Sequence, residues 1–406
     1  MRIAFVGNYF SEKMGYTENC LPKAWAALGH EVHVIVSNYQ VYGDCPDFAQ
    51  KYGAFLGQAT TACGEKHLNG FLVHRLPRRQ GRLIALEGLG RTLRSIAPDV
   101  IQFHSCCSYD LLRTTARPVR SSIPIFTEAH EHLSVTASWR TSRRATPRYR
   151  LYQIGLSLFA HPRTERCFAI SPDCAEVAIG LHKVPSKKVV LMPLGTDTVH
   201  FSPVSTAADI TRRELWRSQS GYNVGDVVCI YTGKLDQSKN PLLLARAVGS
   251  LRRRGLRVCG LFVGAGPQRP EIESIEGNRV MAFVEYSALP QYYQAGDIGV
   301  WPREESMAML DAASCGLPVV VSDQIGEPDR VQGNGLMYRE DDSEALASTL
   351  LTLLEKGKRH GLGVTARQRM LEKYSWTSVA NKRLGYYEEA LMRKNFRGRA
   401  DGQAST

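Results

Sequence analysis

Three short stretches carry side chains whose types and spacing suit chemistry. In VWPREESMAMLDAASCGLPVVVSD, residues 300–323, Glu304, Glu305 and Asp311 stand on both sides of an apolar turn, ahead of a wholly apolar strand. Carboxylates in such company are paired or hold a ligand, because an unpaired buried charge is costly. In YTGKLDQSKNPLLLARAV, residues 231–248, a strand-like run ends at Gly233, and Lys234 and Lys239 share the loop before a helical pattern. Two ammonium groups on one loop can flank a diphosphate, and glycine lets the backbone approach it. In TEAHEH, residues 127–132, a strand-like run ends at His130, Glu131 and His132. Each stretch alone also reads as ordinary structure: a solvated loop, an acid at a helix N-terminus, or a histidine capping a strand end.

The elements that would position these groups alternate strand and helix. RIAFVG, a loop with Gly15, a helix through NCLPKAWAALGH and the strand EVHVIVS make one βαβ opening. Near-continuous apolar strands recur at 99–103, 123–127, 167–170 and 188–192, as a parallel sheet requires. The stretch GTDTVHFSPVSTAAD, rich in Thr, Ser, Asp and Pro, reads as a linker. A second series follows, with strands at VVCIYTG, RVCGLFVGAG, VMAFVE, DIGVWP and LPVVVS and helices such as SMAMLDAASC and SEALASTLLTLLEKGK. The expectation is α/β, with two doubly wound domains, and ligands in such sheets sit at the carboxyl ends of the strands. The polar tail from Arg393 is expected to be disordered.

The 406 residues suit two domains, and a hydrophobic share of 43% with 22% charged residues is that of an ordinary globular chain. A formal charge of +12 favours anionic partners. Residues 1–10 read as a strand, not a signal peptide, and no run reaches the length of a membrane span. The expectation is therefore a soluble protein, at most peripheral to a membrane. Ten cysteines without a C-x-x-C pair read as reduced packing residues of a cytosolic chain; the adjacent Cys106 and Cys107 stand out, with a metal or redox site there as the lesser reading. Residues 139–166 gather Arg140, Arg143, Arg144, Arg148, Arg150, Arg163 and Arg166 among Trp139, Tyr149, Tyr152 and Phe159. That pattern fits either an anionic membrane or lipid-diphosphate surface or a solvated helix face. No nucleic-acid module pattern is present.

Taken together and in order, the 231–248 stretch, FVGAGPQRPEIES at 262–274, VVLMPLGTDTVHFSP at 189–203 and the acidic stretch before CGLPVVVSD resemble the retaining glycosyltransferases of family 4, of the GT-B fold. RIAFVG, ALGHEVHVIV, PDVIQFH, PIFTEAHE and YSWTSVANKRLGYYEEAL at 374–391 extend the resemblance over most of 1–392. It implies two Rossmann-like domains facing each other across a cleft: an acceptor domain at 1–200 and a nucleotide-sugar domain at 201–375, with a helix at 376–392 crossing back to the first domain and a tail at 393–406.

The resemblance also implies sugar transfer from a nucleotide-diphosphate donor with retention, without metal or other cofactor. The acceptor would be a carbohydrate or lipid-linked molecule, in bacterial polysaccharide, lipopolysaccharide or glycolipid assembly at the cytoplasmic side of the plasma membrane. Lys234 and Lys239 match the family's basic pair, with Lys where Arg is usual at the first position. With Gly15, Gly233, Ser306, Met307 and Asp311 they would bind the donor, Asp311 at the ribose hydroxyls. His130 would lie beside the transferred sugar, with Glu131 where Asp is common, and Glu305 or Glu304 would grip a sugar hydroxyl in a loop shortened by one or two residues. His104 is expected to be structural or on the acceptor side. The same scaffold also admits a nucleotide-sugar epimerase or an inactive partner subunit.

Overall fold

The computed structural model describes residues 1–79, 83–116, 123–133, 147–303 and 306–403. The chain forms two compact units, Met1–Leu194 with Val379–Thr406, and Gly195–Ser378.

The first unit is built on β1 (Arg2–Val6), β2 (Glu31–Ser37), β3 (Gly64–Leu68), β4 (Phe71–Leu76), β7 (Val100–Phe103), β8 (Ile125–Ala129), β9 (Thr164–Ala169) and β10 (Val189–Leu191). β5 (Arg78–Arg79) and β6 (Ala85–Leu86) form a small antiparallel ribbon apart from it. The sheet order is β10-β9-β8-β7-β1-β2-β4-β3, and only β3 at the edge runs antiparallel to its neighbour. β1 and β7 are buried on both faces (Ile3, Ala4, Phe5 and Val100 have no exposure), which is why their sequences show no apolar–polar alternation, the buried Gln102 of β7 being a polar exception. The helix Thr17–Ala27 buries Leu21 and Trp25 completely. The β3–β4 hairpin closes on Asn69 and Gly70, both at positive φ (48° and 87°), as a two-residue hairpin turn demands.

The second unit holds β11 (Val227–Thr232), β12 (Val258–Val263), β13 (Asn278–Met281), β14 (Ile298–Trp301), β15 (Val319–Ser322) and β16 (Gly335–Tyr338). All run parallel, in the order β13-β12-β11-β14-β15-β16. This is the 3-2-1-4-5-6 order of dinucleotide-binding sheets, whose direction of growth reverses between β11 and β14. The loops after β11 and β14 therefore open at the switch point. A Cβ on Gly264 would lie 1.9 Å from the Gly233 carbonyl oxygen, so only glycine allows the loops after β11 and β12 to touch backbone to backbone. Two hydrogen bonds lock the contact: the Leu235 N–H donates to Ala265 O and the Gln268 N–H to Leu235 O, each at 2.9 Å.

The units divide at Leu194/Gly195, earlier than the expected 200/201. The reason is that the expected linker is packed: Phe201 has no exposure and lies in the second unit's core, and the Thr196 N–H donates to Tyr374 O at 2.8 Å. The strand expected over VMAFVE is β13, displaced toward Asn278. The last helix, Trp376–Gln403, continues past Arg393 where a disordered tail is expected. The Arg393 guanidinium pairs with Glu165 at 2.9 Å and with Glu389 at 3.5 Å, which anchors that turn.

Candidate functional site

In the first unit, the second-to-last residue of β8 is a carboxylate with no exposure, Glu128. Its Oε2 accepts from His130 Nε2 at 2.6 Å and from His104 Nδ1 at 2.9 Å, and its Oε1 accepts from the guanidinium of Arg383. Arg383 also has no exposure, and it lies over the Phe168 ring at 5.0 Å. Two residues on in the chain of contacts, the buried Glu18 carboxylate of the first helix stands 4.0 Å from His104 Nε2. The rings of His104 and His130 are 4.3 Å apart.

Burial alone would raise the Glu128 pKa. The Arg383 charge, with the hydrogen bonds from His104 and His130, overcomes it and holds the carboxyl well below its usual range. Burial, then the neighbouring His104, pushes His130 down to about 4. Burial opposes the charge on His104, but the Glu128 hydrogen bond and charge win and raise its pKa. The cluster thus favours a positive charge at His104 over His130 and leaves His130 neutral at pH 7. A carboxylate only accepts, so His130 carries its proton on Nε2 and presents Nδ1 as an acceptor. His130 keeps 23% of its side chain exposed, so it can meet a ligand.

In the second unit, Lys234 is exposed and Lys239 half-buried on the loop between β11 and the helix Pro241–Arg253. The Tyr231 hydroxyl donates to Lys234 O at 2.8 Å and Asp236 Oδ1 accepts from the Lys239 N–H at 3.2 Å, so both lysines leave a fixed backbone. Asp311 lies in the short helix Ala308–Ser314, where its Oδ1 accepts from the Thr196 hydroxyl at 2.6 Å. Burial, aided by Asp197 and opposed by Thr196, raises the Asp311 carboxyl to about 7. Such a carboxylate gains from hydroxyl donors that replace lost hydration.

Ser306 and Met307 precede that helix. The Ser306 Oγ accepts from the Ala308 N–H at 3.3 Å, and Met307 packs against the core. Gly15 lies in the loop between β1 and the first helix, at the switch point between β1 and β7. Glu304 and Glu305 lie outside the described residues. His132 turns to Asp173, at 2.9 Å, and takes no part in the Glu128 cluster. Sequence reasoning missed Glu128, Arg383, Glu18 and Thr196 and gave His104 a structural or acceptor-side place. The available signal was the acid inside the apolar strand run IFTEA and the arginine in VANKRLGYY.

Two sequence models of families match the chain. That described as Glycosyltransferase Family 4 covers residues 21–200, and that described as Glycosyl transferases group 1 covers residues 226–356. The chain is 25% identical to the GDP-mannose-dependent alpha-mannosyltransferase of Mycolicibacterium smegmatis, over 98% of this chain and 100% of that protein. It is 24% identical to the sulfoquinovosyl transferase of Arabidopsis thaliana, over 64% of this chain and 51% of that protein. It is 29% identical to the D-inositol 3-phosphate glycosyltransferase of Salinispora tropica, over 51% of this chain and 47% of that protein. The chain thus spans about half the length of the latter two. Among solved structures, the sucrose-phosphate synthase of Thermosynechococcus elongatus aligns over 97% of this chain and 99% of its own, with a TM-score of 0.66 at 19% identity. Anabaena HepE in complex with UDP aligns over 96% of this chain and 100% of its own, with a TM-score of 0.67 at 15% identity.

The fold is that of the GT-B glycosyltransferases, with a Rossmann-like sheet in each unit. The chain belongs to glycosyltransferase family 4.

The buried ion pair makes a prediction. Removing one partner of such a pair costs about 3–5 kcal/mol. Arg383→Met should therefore lower stability by about that amount at pH 7, measured by urea unfolding, and Arg383→Met with Glu128→Gln should recover part of the loss. The depressed Glu128 pKa stabilises the wild type above the unfolded value and that stabilisation is lost on acidification. The gap between wild type and Arg383→Met should thus narrow as pH falls through the usual glutamate range.

Proposed function

We propose that this protein is a retaining glycosyltransferase that moves a sugar from a nucleotide-diphosphate donor to a carbohydrate or lipid-linked acceptor. One observation carries the reading: Lys234 and Lys239 stand on the loop after β11, at the switch point of a 3-2-1-4-5-6 sheet. Ligands of such sheets bind there. The leaving nucleoside diphosphate gains negative charge as the glycosidic bond breaks. Ammonium groups already held there stabilise that charge, which is the work a metal would otherwise do. Asp311 accepts from the ribose hydroxyls, and neutral His130 accepts from a sugar hydroxyl through Nδ1. Glu305, or Glu304 beside it, grips a second sugar hydroxyl, with Ser306 and Met307 shaping the approach and Gly15 offering backbone N–H groups to phosphate. The mannosyltransferase relative is named for GDP-mannose and HepE is complexed with UDP, so both nucleotides are candidate donors.

The acceptor reading extends to the membrane. Among the described residues no helix is long and apolar enough to cross a membrane. Leu151, Ile154, Leu158 and Phe159 are exposed by 66, 53, 63 and 48%, at helical spacing on Pro147–Gly155 and the turn after it. Arg148 is exposed beside them, as is Arg150. Apolar side chains flanked by arginines suit the headgroup boundary of an anionic leaflet, the cytoplasmic face in a bacterial polysaccharide or glycolipid pathway. Arg163 and Arg166 instead donate to backbone carbonyls, of Thr115 and Glu165, and Trp139, Arg140, Arg143 and Arg144 lie outside the described residues.

Thermal unfolding with UDP, GDP and ADP tests the donor site. One nucleoside diphosphate should raise Tm, by the equivalent of about 2.7 kcal/mol at a hundredfold excess over Kd, and Lys239→Ala should abolish the rise. No shift with any of the three would overturn the reading. Co-sedimentation tests the surface: the wild type should pellet with vesicles containing anionic lipid and stay in solution with neutral ones, and Ile154→Glu with Leu158→Glu should lose the difference. Equal recovery with both vesicle types would count against a membrane face.

A further inference from the structure

Cys106 and Cys107 follow β7, and the backbone around them is held. The Cys106 N–H donates to Glu128 O at 2.8 Å, the Cys107 N–H to Ser105 Oγ at 3.2 Å, and the Tyr152 hydroxyl to Cys107 O at 2.5 Å. Across from them stands His182, 3% exposed. The two sulfurs and an imidazole nitrogen of His182 all lie within 4.8 Å of one another. His182 Nε2 is 3.1 Å from Glu131 Oε2, while its Nδ1 is buried without a hydrogen-bond partner. All four residues line one small pocket, together with Ser105, Ala129 and Val177 among others. A buried ring nitrogen left unpaired costs free energy that structures seldom tolerate.

We propose that Cys106, Cys107 and His182 form a site for a thiophilic divalent cation, zinc being the representative. Two thiolates and an imidazole are the donor set of borderline-soft metals. Bond lengths of about 2.3 Å to sulfur and about 2.0 Å to nitrogen need donor atoms a little closer than they stand, which side-chain rotation supplies. Glu131 holds the other ring nitrogen and orients the imidazole, the relation that carboxylates have to metal-bound histidines. The nitrogen this leaves for the ion is the unpartnered Nδ1. The Cys107 sulfur is 3.5 Å from Glu131 Oε1, so the same carboxylate reaches the site's open side. An intramolecular disulfide suits the pair less well. Adjacent Cα atoms are about 3.8 Å apart, shorter than the roughly 4.4–6.8 Å that disulfides span, whereas a metal bridges the sulfurs without that constraint. The site's residues all belong to the first unit, and its test does not depend on glycosyl transfer.

The experiment uses the full chain, stripped with a chelator under reducing conditions. Cadmium is added while the ultraviolet thiolate-to-metal absorption is followed, and zinc is then titrated against a chromophoric chelator. The expected result is one ion per chain. Glu131→Gln should weaken zinc about 10–100-fold and Cys107→Ser at least as much, each folded by circular dichroism, while Cys63→Ser, an exposed thiol, should change nothing. Absence of the absorption in the wild type would overturn the proposal, as would its full retention in Cys107→Ser. A wild-type chain that takes up no metal and instead loses two hydrogens on air exposure, read by mass spectrometry and absent in Cys107→Ser, would assign the pair to thiol oxidation and also overturn it.

Discussion

The first unit is organised around one carboxylate that has left water. Glu128 sits near the end of a buried parallel strand, opposite Phe168 of β9, and it remains ionised only because cationic and N–H groups converge on it. The decisive partner, Arg383, comes from a helix 255 residues further along the chain. That pairing ties the returning helix to the first sheet. Below it, the Tyr387 hydroxyl donates to Gln102 at 2.8 Å and its ring meets Phe126 and Trp25, so polar and apolar contacts fix the same stretch of helix. The charge order then follows. Burial disfavours a positive charge on His130, the neighbouring His104 and Arg383 disfavour it further, and a neutral imidazole is left at the strand end.

The second unit solves a different problem. At its switch point the constraint is steric. Loops after β11 and β12 approach until backbone meets backbone, which glycine at 233, 264 and 266 permits. Lys234 and Lys239 then extend from a framework fixed by main-chain hydrogen bonds. A rigid loop is what a charge-stabilising site requires, since cations that must reorganise contribute less to a transition state.

Much of this was legible in the sequence, for a physical reason. Strands buried on both faces have to run apolar, so nearly every parallel strand announced itself, and β11 through the lysine loop was read close to where it lies. The β3–β4 hairpin was missed although its Asn69-Gly70 turn is a strong local signal, because GEKHL is exposed and polar. His130 was legible from its place after a strand. Glu128 was not, since an acid in an apolar run does not say which distant residue pairs with it. Cys106 and Cys107 read as packing for the same reason: His182 becomes their neighbour only when β9 and the helix after it fold against β8. Thr196 was taken for linker because its partner Asp311 lies more than a hundred positions away.

The central claim is that the Glu128 cluster holds His130 neutral. The most direct measurement is an NMR titration of the imidazole resonances, assigned with His130→Gln. The account predicts that His130 stays neutral with Nε2 protonated through pH 7 and titrates near 4, below His104. A His130 that titrates between 6 and 7, near an unperturbed histidine, or that carries its proton on Nδ1, would contradict it.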